Sequence, residues 1–267
     1  MVAVQERYDT RPFGPDITAG MGVQLLLLEV LCRAVGLSMV GWLTGLVFAV
    51  ATWAVLTVAV RRSWTLTFGP ANRVTLARTI LVGGVTAMVA DSFGRHVPVA
   101  VLIAFAAVAL VLDGVDGKVA RHTGTATPLG ARFDMEVDAF LILVLCIHLA
   151  LPLGAWVLTI GLMRYAFVAA SWVLPWLRGA LPHSMARKTV AALQGVVLVV
   201  AGAGILPRDS AAAAVAVALA LLVWSFGRDV AWLWRVRERA GATTVSAVRA
   251  RHVPAWSVTS RRAAPNK

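Results

Sequence analysis

Long apolar blocks, each bounded by short polar stretches, set the plan of this chain. The clearest cover about 38–60, 73–90, 98–121, 131–151, 154–176, 188–206 and 211–233, each near the ~20 residues a helix needs to cross the hydrocarbon of a bilayer. Residues 22–37, GVQLLLLEVLCRAVGL, are shorter and hold Glu29 and Arg33 four residues apart. That spacing suits a salt bridge on an interfacial or half-inserted helix, with a full crossing as the alternative. The pattern therefore predicts an all-α, polytopic membrane helix bundle. From about 240 onward Gly, Thr, Ser, Arg and Pro replace the apolar pattern, which predicts a basic cytoplasmic tail, disordered or bound to the membrane surface.

Composition sharpens this picture. The chain has 267 residues, of which 59% are hydrophobic and 14% charged, far from the roughly 25% charged residues of a soluble domain; the mean hydropathy is +0.79. A net charge of +12 would suggest nucleic acid in a soluble protein. Here loop charge bias and attraction to anionic lipid explain it better, so membrane lipids and no nucleic acid are the expected partners. Arg61, Arg62, Arg73, Arg78, Arg121, Arg178, Arg187, Lys188 and the tail from Arg228 to Lys267 fall on one side by alternation, against Arg95 and Arg208 on the other. Lys and Arg accumulate in cytoplasmic loops, which assigns the first side to the cytoplasm of a cell-membrane protein. Trp172, Trp176, Trp224, Trp232 and Trp234 lie near span ends, as interfacial anchors do. Cys32 and Cys146 sit in apolar stretches without metal-ligand spacing and read as buried apolar side chains. Residues 1–21 are polar with mixed charge, unlike the basic start of a cleaved signal peptide.

Chemistry is concentrated between two of the blocks. Four of the nine aspartates fall within Asp113-x2-Asp116-Gly117-x2-Ala120-Arg121-x8-Gly130-x3-Asp134-x3-Asp138. Ionisable groups at membrane depth are costly and mark a functional site by default. At ~100° per helical residue, Asp113, Asp116, Gly117, Ala120 and Arg121 share an arc of roughly 140°, and Gly130, Asp134 and Asp138 one of about 80°. The short link HTGTATPL makes the two helices antiparallel neighbours, so these faces can oppose each other at the cytoplasmic end. Carboxylates gathered there would repel one another unless cations sit among them, and an all-oxygen donor set suits Mg²⁺ or Mn²⁺, as a pair of ions. Such a pair binds diphosphate and stabilises in-line displacement at phosphorus. Gly117 and Ala120 leave room for close approach, and Arg121 can clamp phosphate with its planar fork. A purely structural ion-pair cluster is disfavoured, because Arg121 and Arg132 cannot neutralise four aspartates and Glu136. Glu136 lies on the opposite face from Asp134 and is expected to pair with Arg132, four residues earlier.

The eight fixed positions and their spacings resemble the signature of the CDP-alcohol phosphotransferases, also called CDP-alcohol phosphatidyltransferases, D-x2-D-G-x2-A-R-x8-G-x3-D-x3-D, without departure. Asn72-x2-Thr75-x2-Arg78 is similar to the family's N-x2-T-x2-R, and Arg187-Lys188-x5-Gln194 to its Gly-Lys…Gln segment, with Arg187 in place of the glycine. The resemblance covers about 70–235. It implies six core transmembrane helices within a domain at 67–239, one or two extra helices within 22–66, and a homodimer acting at the cytoplasmic face. It further implies transfer of a phosphatidyl or related phospho-alcohol group from a CDP-linked donor, CDP-diacylglycerol by preference, to a small hydroxyl acceptor with release of CMP, in phospholipid biosynthesis. By position, Asp113, Asp116 and Asp134 resemble the principal metal ligands. Asp138 resembles the group that touches metal and takes the acceptor proton. Gly117, Ala120 and Arg121 would hold the nucleotide and diphosphate with Asp113, supported by Gly130, Asn72 and Thr75.

Arg164, alone inside an apolar block, needs a reason. It resembles an arginine that in some relatives binds a phosphorylated acceptor. With Arg187, Lys188 and Arg78 it would form a basic pocket for glycerol phosphate or inositol phosphate; a pairing with a carboxylate or backbone carbonyl is the alternative. His122 and His183 read as loop residues, His148 as a packing residue, and Lys118 as a side chain reaching lipid phosphate. Two other readings are transfer from a soluble CDP-alcohol to a lipid acceptor and a cation-coupled transporter. A transporter would place its carboxylates near the midplane or in repeated halves, and here they cluster at one face.

Overall fold

The computed structural model describes residues 14–62, 70–123, 128–179, 181–182 and 184–251. Side chains are described for all of these except 14–17, 59–62, 70–73, 116–123, 128–129 and 239–251. The described chain folds into eight α-helices without a strand: α1 (Gly14–Val35), α2 (Met39–Arg62), α3 (Pro70–Asp91), α4 (Val99–Thr123), α5 (Pro128–Leu153), α6 (Leu158–Val173), α7 (Met185–Gly202) and α8 (Arg208–Arg251). Single 3-10 turns, Ala155–Val157 and Pro175–Arg178, precede α6 and follow it. Seven helices are long and apolar enough to cross a membrane. The described apolar part of α4, Val99–Val115, is shorter, although all 25 residues of this helix would span about 37 Å at 1.5 Å per residue.

Local sequence sets the ends. Pro70 and Pro128 stand at the first positions of α3 and α5, where the missing N–H costs nothing and φ is already helical. Gly36 closes α1 at φ 72°, its N–H donating to the Cys32 carbonyl at 3.0 Å, a conformation that glycine alone adopts without strain. The Ser38 hydroxyl then caps α2, accepting from Val40 N–H at 3.2 Å and Gly41 N–H at 3.4 Å. Asp91, at the C-terminus of α3, accepts from both the Ser38 N–H and its hydroxyl, which ties α3 to the α1–α2 turn at the far end of the bundle.

α3 is the central helix. Its membrane span is 72% buried, against 17–33% for the others long enough to cross. It packs on α1, α2, α4 and α5, while α5 leans on α6 and α7, and α7 on α8. The apolar core runs through Val82, Val85 and Met88 of α3, Leu102 and Ala106 of α4, Leu145 and Leu149 of α5 and Leu198 of α7, all buried. Close approaches depend on missing side chains: a Cβ on Gly161 would lie 2.7 Å from the Leu143 Cα, and one on Gly45 2.4 Å from Leu28 Cδ2. Gln194 joins α7 to α8 by donating to the Ala218 carbonyl at 2.7 Å.

The segment left open by sequence is a second N-terminal helix. α1 has 22 residues, and Gln24 and Leu28 are buried against α2 and α3 rather than lying at a surface. Glu29 and Arg33 do form the expected pair at 2.7 Å, on an exposed face. α8 runs past the expected boundary at 240 as a helical backbone to Arg251; residues 252–267 lie outside the described residues. Both cysteines are free, with Cys146 buried and Cys32 half-buried.

Candidate active site

Three helices deliver four charged side chains to one end of the bundle. Asp113 comes from the C-terminal half of α4, Asp134 and Asp138 from successive turns of α5, and Arg78 from the third turn of α3. The i,i+4 spacing of Asp134 and Asp138 puts both on the α5 face that meets α3 and α4. Carboxylate oxygens of Asp113, Asp134 and Asp138 all lie within 4.8 Å of one another. Each of these aspartates is about one-third exposed (33%, 31% and 39%), whereas Arg78 is fully buried. The Arg78 guanidinium bridges all three. One terminal nitrogen donates to Asp113, and the other donates to Asp134 Oδ1 at 2.5 Å and to the Asp134 carbonyl at 3.0 Å, and lies 3.3 Å from Asp138.

The planar fork of arginine suits this multiple bridging, and burial of the cation is tolerable only because carboxylates surround it. Below Arg78 the same face of α3 continues with buried Thr75 and Thr79, the Thr79 hydroxyl donating to the Thr75 carbonyl at 2.7 Å. Among the described side chains, one guanidinium faces three carboxylates, an excess of negative charge. That excess, the all-oxygen donor set and the partial exposure fit one or more hard divalent cations such as Mg²⁺ or Mn²⁺.

Arg78 is the residue whose role sequence reasoning missed. The ion-pair count considered Arg121 and Arg132 alone, yet the buried counter-cation comes from another helix. A signal was present: Arg78 falls three residues after Thr75 and six after Asn72, on one helical face of an apolar span. The predicted Arg132–Glu136 pair does not form. Glu136 instead bonds Arg164 of α6 at 2.5 Å, so the lone arginine of that helix has its carboxylate on α5. Two inter-helix ion clusters thus flank α5, one on each of its faces.

The remaining predicted residues are distributed as follows. Arg187 near the start of α7 pairs with Asp229 of α8 at 3.0 Å and donates to the Pro182 carbonyl at 2.8 Å, while Lys188 is exposed. Arg78, Arg164 and Arg187 are therefore each engaged by carboxylates of the chain, rather than forming one uncommitted basic pocket. Gly130 opens α5 one turn before Asp134 and is half-buried. Asn72, Asp116, Gly117, Ala120 and Arg121 stand on the helical backbones of α3 and α4, and their side chains lie outside the described residues, as do those of Lys118 and His122; His183 lies outside them entirely. Aromatic residues gather where α8 leaves the bundle: Trp176 and Trp234 meet edge to face at 5.4 Å, and Arg237 lies 5.3 Å over the Trp234 ring.

An eight-helix membrane bundle with a carboxylate cluster at one end defines a polytopic membrane protein with a candidate metal-assisted site. A family model described as CDP-alcohol phosphatidyltransferase matches residues 68–224, more than half of the chain and all three helices of the cluster. The chain belongs to this family, whose members transfer a phospho-alcohol group from a CDP-alcohol. Comparisons with curated proteins and with solved structures return no match. The family match begins just before α3 and ends within α8, so α1 and α2 lie outside it.

Proposed function

We propose that this chain transfers a phosphatidyl group from CDP-diacylglycerol to a hydroxyl acceptor and releases CMP, as a step of phospholipid biosynthesis at the cytoplasmic face of the cell membrane. The observation that carries this reading is the meeting of Asp113, Asp134 and Asp138 within 4.8 Å inside the region that matches the family. Mg²⁺ or Mn²⁺ held by these carboxylates and Asp116 would neutralise the diphosphate and the charge developing on the leaving CMP. Arg121 grips the diphosphate, Gly117 and Ala120 let it approach the α4 backbone, and Asn72, Thr75 and Gly130 support the nucleotide.

Asp138 accepts the proton of the acceptor hydroxyl as its oxygen attacks the phosphorus that bears diacylglycerol. The new P–O bond forms as the bond to CMP breaks, CMP leaves with the electron pair, and Asp138 returns the proton to water. Geometry supports giving Asp138 this part: of the three carboxylates it is the most exposed and the farthest from the Arg78 guanidinium, at 3.3 Å. A base must be within reach of substrate and not fully committed to another partner. The acceptor is a phosphorylated polyol such as glycerol 3-phosphate or inositol phosphate. Arg164 is one-third exposed and its partner Glu136 more than half, so an acceptor phosphate can take the place of the carboxylate on the guanidinium fork. Arg187 and Lys188 add positive charge at the start of α7, and a homodimer is the working assembly.

The test incubates purified protein with Mg²⁺ or Mn²⁺, labelled CDP-diacylglycerol and a panel of glycerol 3-phosphate, inositol phosphate, serine and simple polyols, following CMP. The reading expects CMP release that depends on one of the phosphorylated acceptors. Absence of CMP with every acceptor overturns it.

A further inference from the structure

Outside the family-matched region, α1 and α2 enclose an open groove of about 490 Å³ in the half of the membrane that contains the aspartates. Its wall is formed by Met21 of α1 and by Val50, Trp53, Ala54 and Thr57 of α2. Both hydroxyls of the lining have partners. The Thr57 hydroxyl donates to the Trp53 carbonyl at 2.7 Å, and Thr18 of the lining is also engaged. Trp53 is shared between the groove and the interior. Its ring reaches so close to α1 that a Cβ on Gly20 would lie 2.3 Å from it. It packs in one buried cluster with Leu56, with Leu76 of α3 and, at the edge, with Met21 and Phe133 of α5. Leu76 stands between Thr75 and Arg78, and Phe133 immediately precedes Asp134. The Trp53 cluster that backs the groove is therefore built on the same stretches of α3 and α5 that carry Arg78 and Asp134.

We propose that the α1–α2 groove holds one acyl chain of the lipid donor, so that the two helices outside the family match form a hydrophobic subsite for the substrate. This inference rests on the reading of the donor as a diacylglycerol lipid. Three observations select a hydrocarbon chain. The lining is apolar with its hydroxyls satisfied, the groove lies on spans long enough to cross the membrane, and its size is that of one chain. At ~30 Å³ per water-sized group, 490 Å³ takes about sixteen such groups, comparable to a single acyl chain and too few for two. The packing of Trp53 on Leu76 and Phe133, chain neighbours of the site residues, selects the substrate over bulk lipid, because an amphiphile whose headgroup is at the aspartates has its chains beside this cluster.

The test uses Ala54→Trp, which fills the groove from an exposed position, and Val55→Trp, which adds the same bulk to the adjacent face of α2, where Val55 is 62% exposed. CMP release is measured with a dioleoyl and a dihexanoyl donor. Ala54→Trp is expected to raise KM for the dioleoyl donor about tenfold, which losing about two buried methylenes would give. It leaves the dihexanoyl donor unchanged, and Val55→Trp leaves both unchanged. Equal behaviour of Ala54→Trp on the two donors overturns the proposal. A second arm reads binding without turnover: CDP-diacylglycerol with a diazirine in one acyl chain is photolysed on the full chain and the labelled peptides are mapped. Labels within 18–21 and 50–58 that vanish in Ala54→Trp and are displaced by unlabelled CDP-diacylglycerol, but not by phosphatidylcholine, support the subsite. Labels elsewhere, or displacement by either lipid alike, overturn it. Labelling as expected from a protein that releases no CMP would retain the subsite and refute the proposed reaction instead.

Discussion

Arg78→Gln tests how the carboxylate site is held together. The side chain is fully buried and links Asp113, Asp134 and Asp138, from two other helices. Removing one member of a buried ion cluster costs ~3–5 kcal/mol, because the remaining charges stay behind without a partner. The three aspartates are each about one-third exposed, so water screens part of their repulsion and the lower end, ~3 kcal/mol, is expected. At ~2–4 °C per kcal/mol for a chain of this size, the variant should melt ~6–12 °C below wild type in EDTA. Mn²⁺ binds the carboxylates that Arg78 leaves, and at ~100 times its Kd returns ~2.7 kcal/mol, most of the loss. The wild type should gain less from the same Mn²⁺, since Arg78 already offsets part of the carboxylate charge. The assay is a thermal melt in detergent with and without Mn²⁺. A variant that melts with wild type in EDTA refutes the assignment of Arg78 as the internal counter-cation.

Two further outcomes follow from contacts elsewhere. Gly161→Val places side-chain atoms where a Cβ alone would lie 2.7 Å from the Leu143 backbone, so α5 and α6 must separate, at a cost of ~1–3 kcal/mol that the same melt will register. Glu136→Gln weakens the hold on Arg164; KM for the phosphorylated acceptor should fall and that for CDP-diacylglycerol should stay constant, whereas unchanged acceptor KM would remove Arg164 from the acceptor site.

The aspartate motif was legible because helical spacing alone maps Asp134 and Asp138 to one face, and the short link brings the ends of α4 and α5 that carry the motif to the same place. What brings Arg78 to them is packing of α3 between other helices, which no local spacing encodes. Glu136 shows the same limit. An i,i+4 partner is worth only ~0.2–0.5 kcal/mol, so the cross-helix contact to Arg164 prevails. Two charges made 22–37 look unsuited to a crossing, yet Glu29 and Arg33 neutralise each other on an exposed face near the far end of α1, leaving Gln24 and Leu28 to pack inside. At 240 the sequence loses its hydropathy, and the backbone stays helical to Arg251: an end to apolar composition marks the end of a span and not of a helix. The groove between α1 and α2 was out of reach of sequence, since it exists only once Trp53 lies over Gly20.

The most direct test of the account compares kcat for CMP release by wild type and Asp138→Asn under saturating CDP-diacylglycerol, acceptor and Mn²⁺. The substitution keeps the size of the side chain and removes the base, so kcat should fall by ~10²–10⁴, the usual contribution of a positioned proton acceptor. Full activity in Asp138→Asn would contradict the assignment of this cluster as the site of transfer.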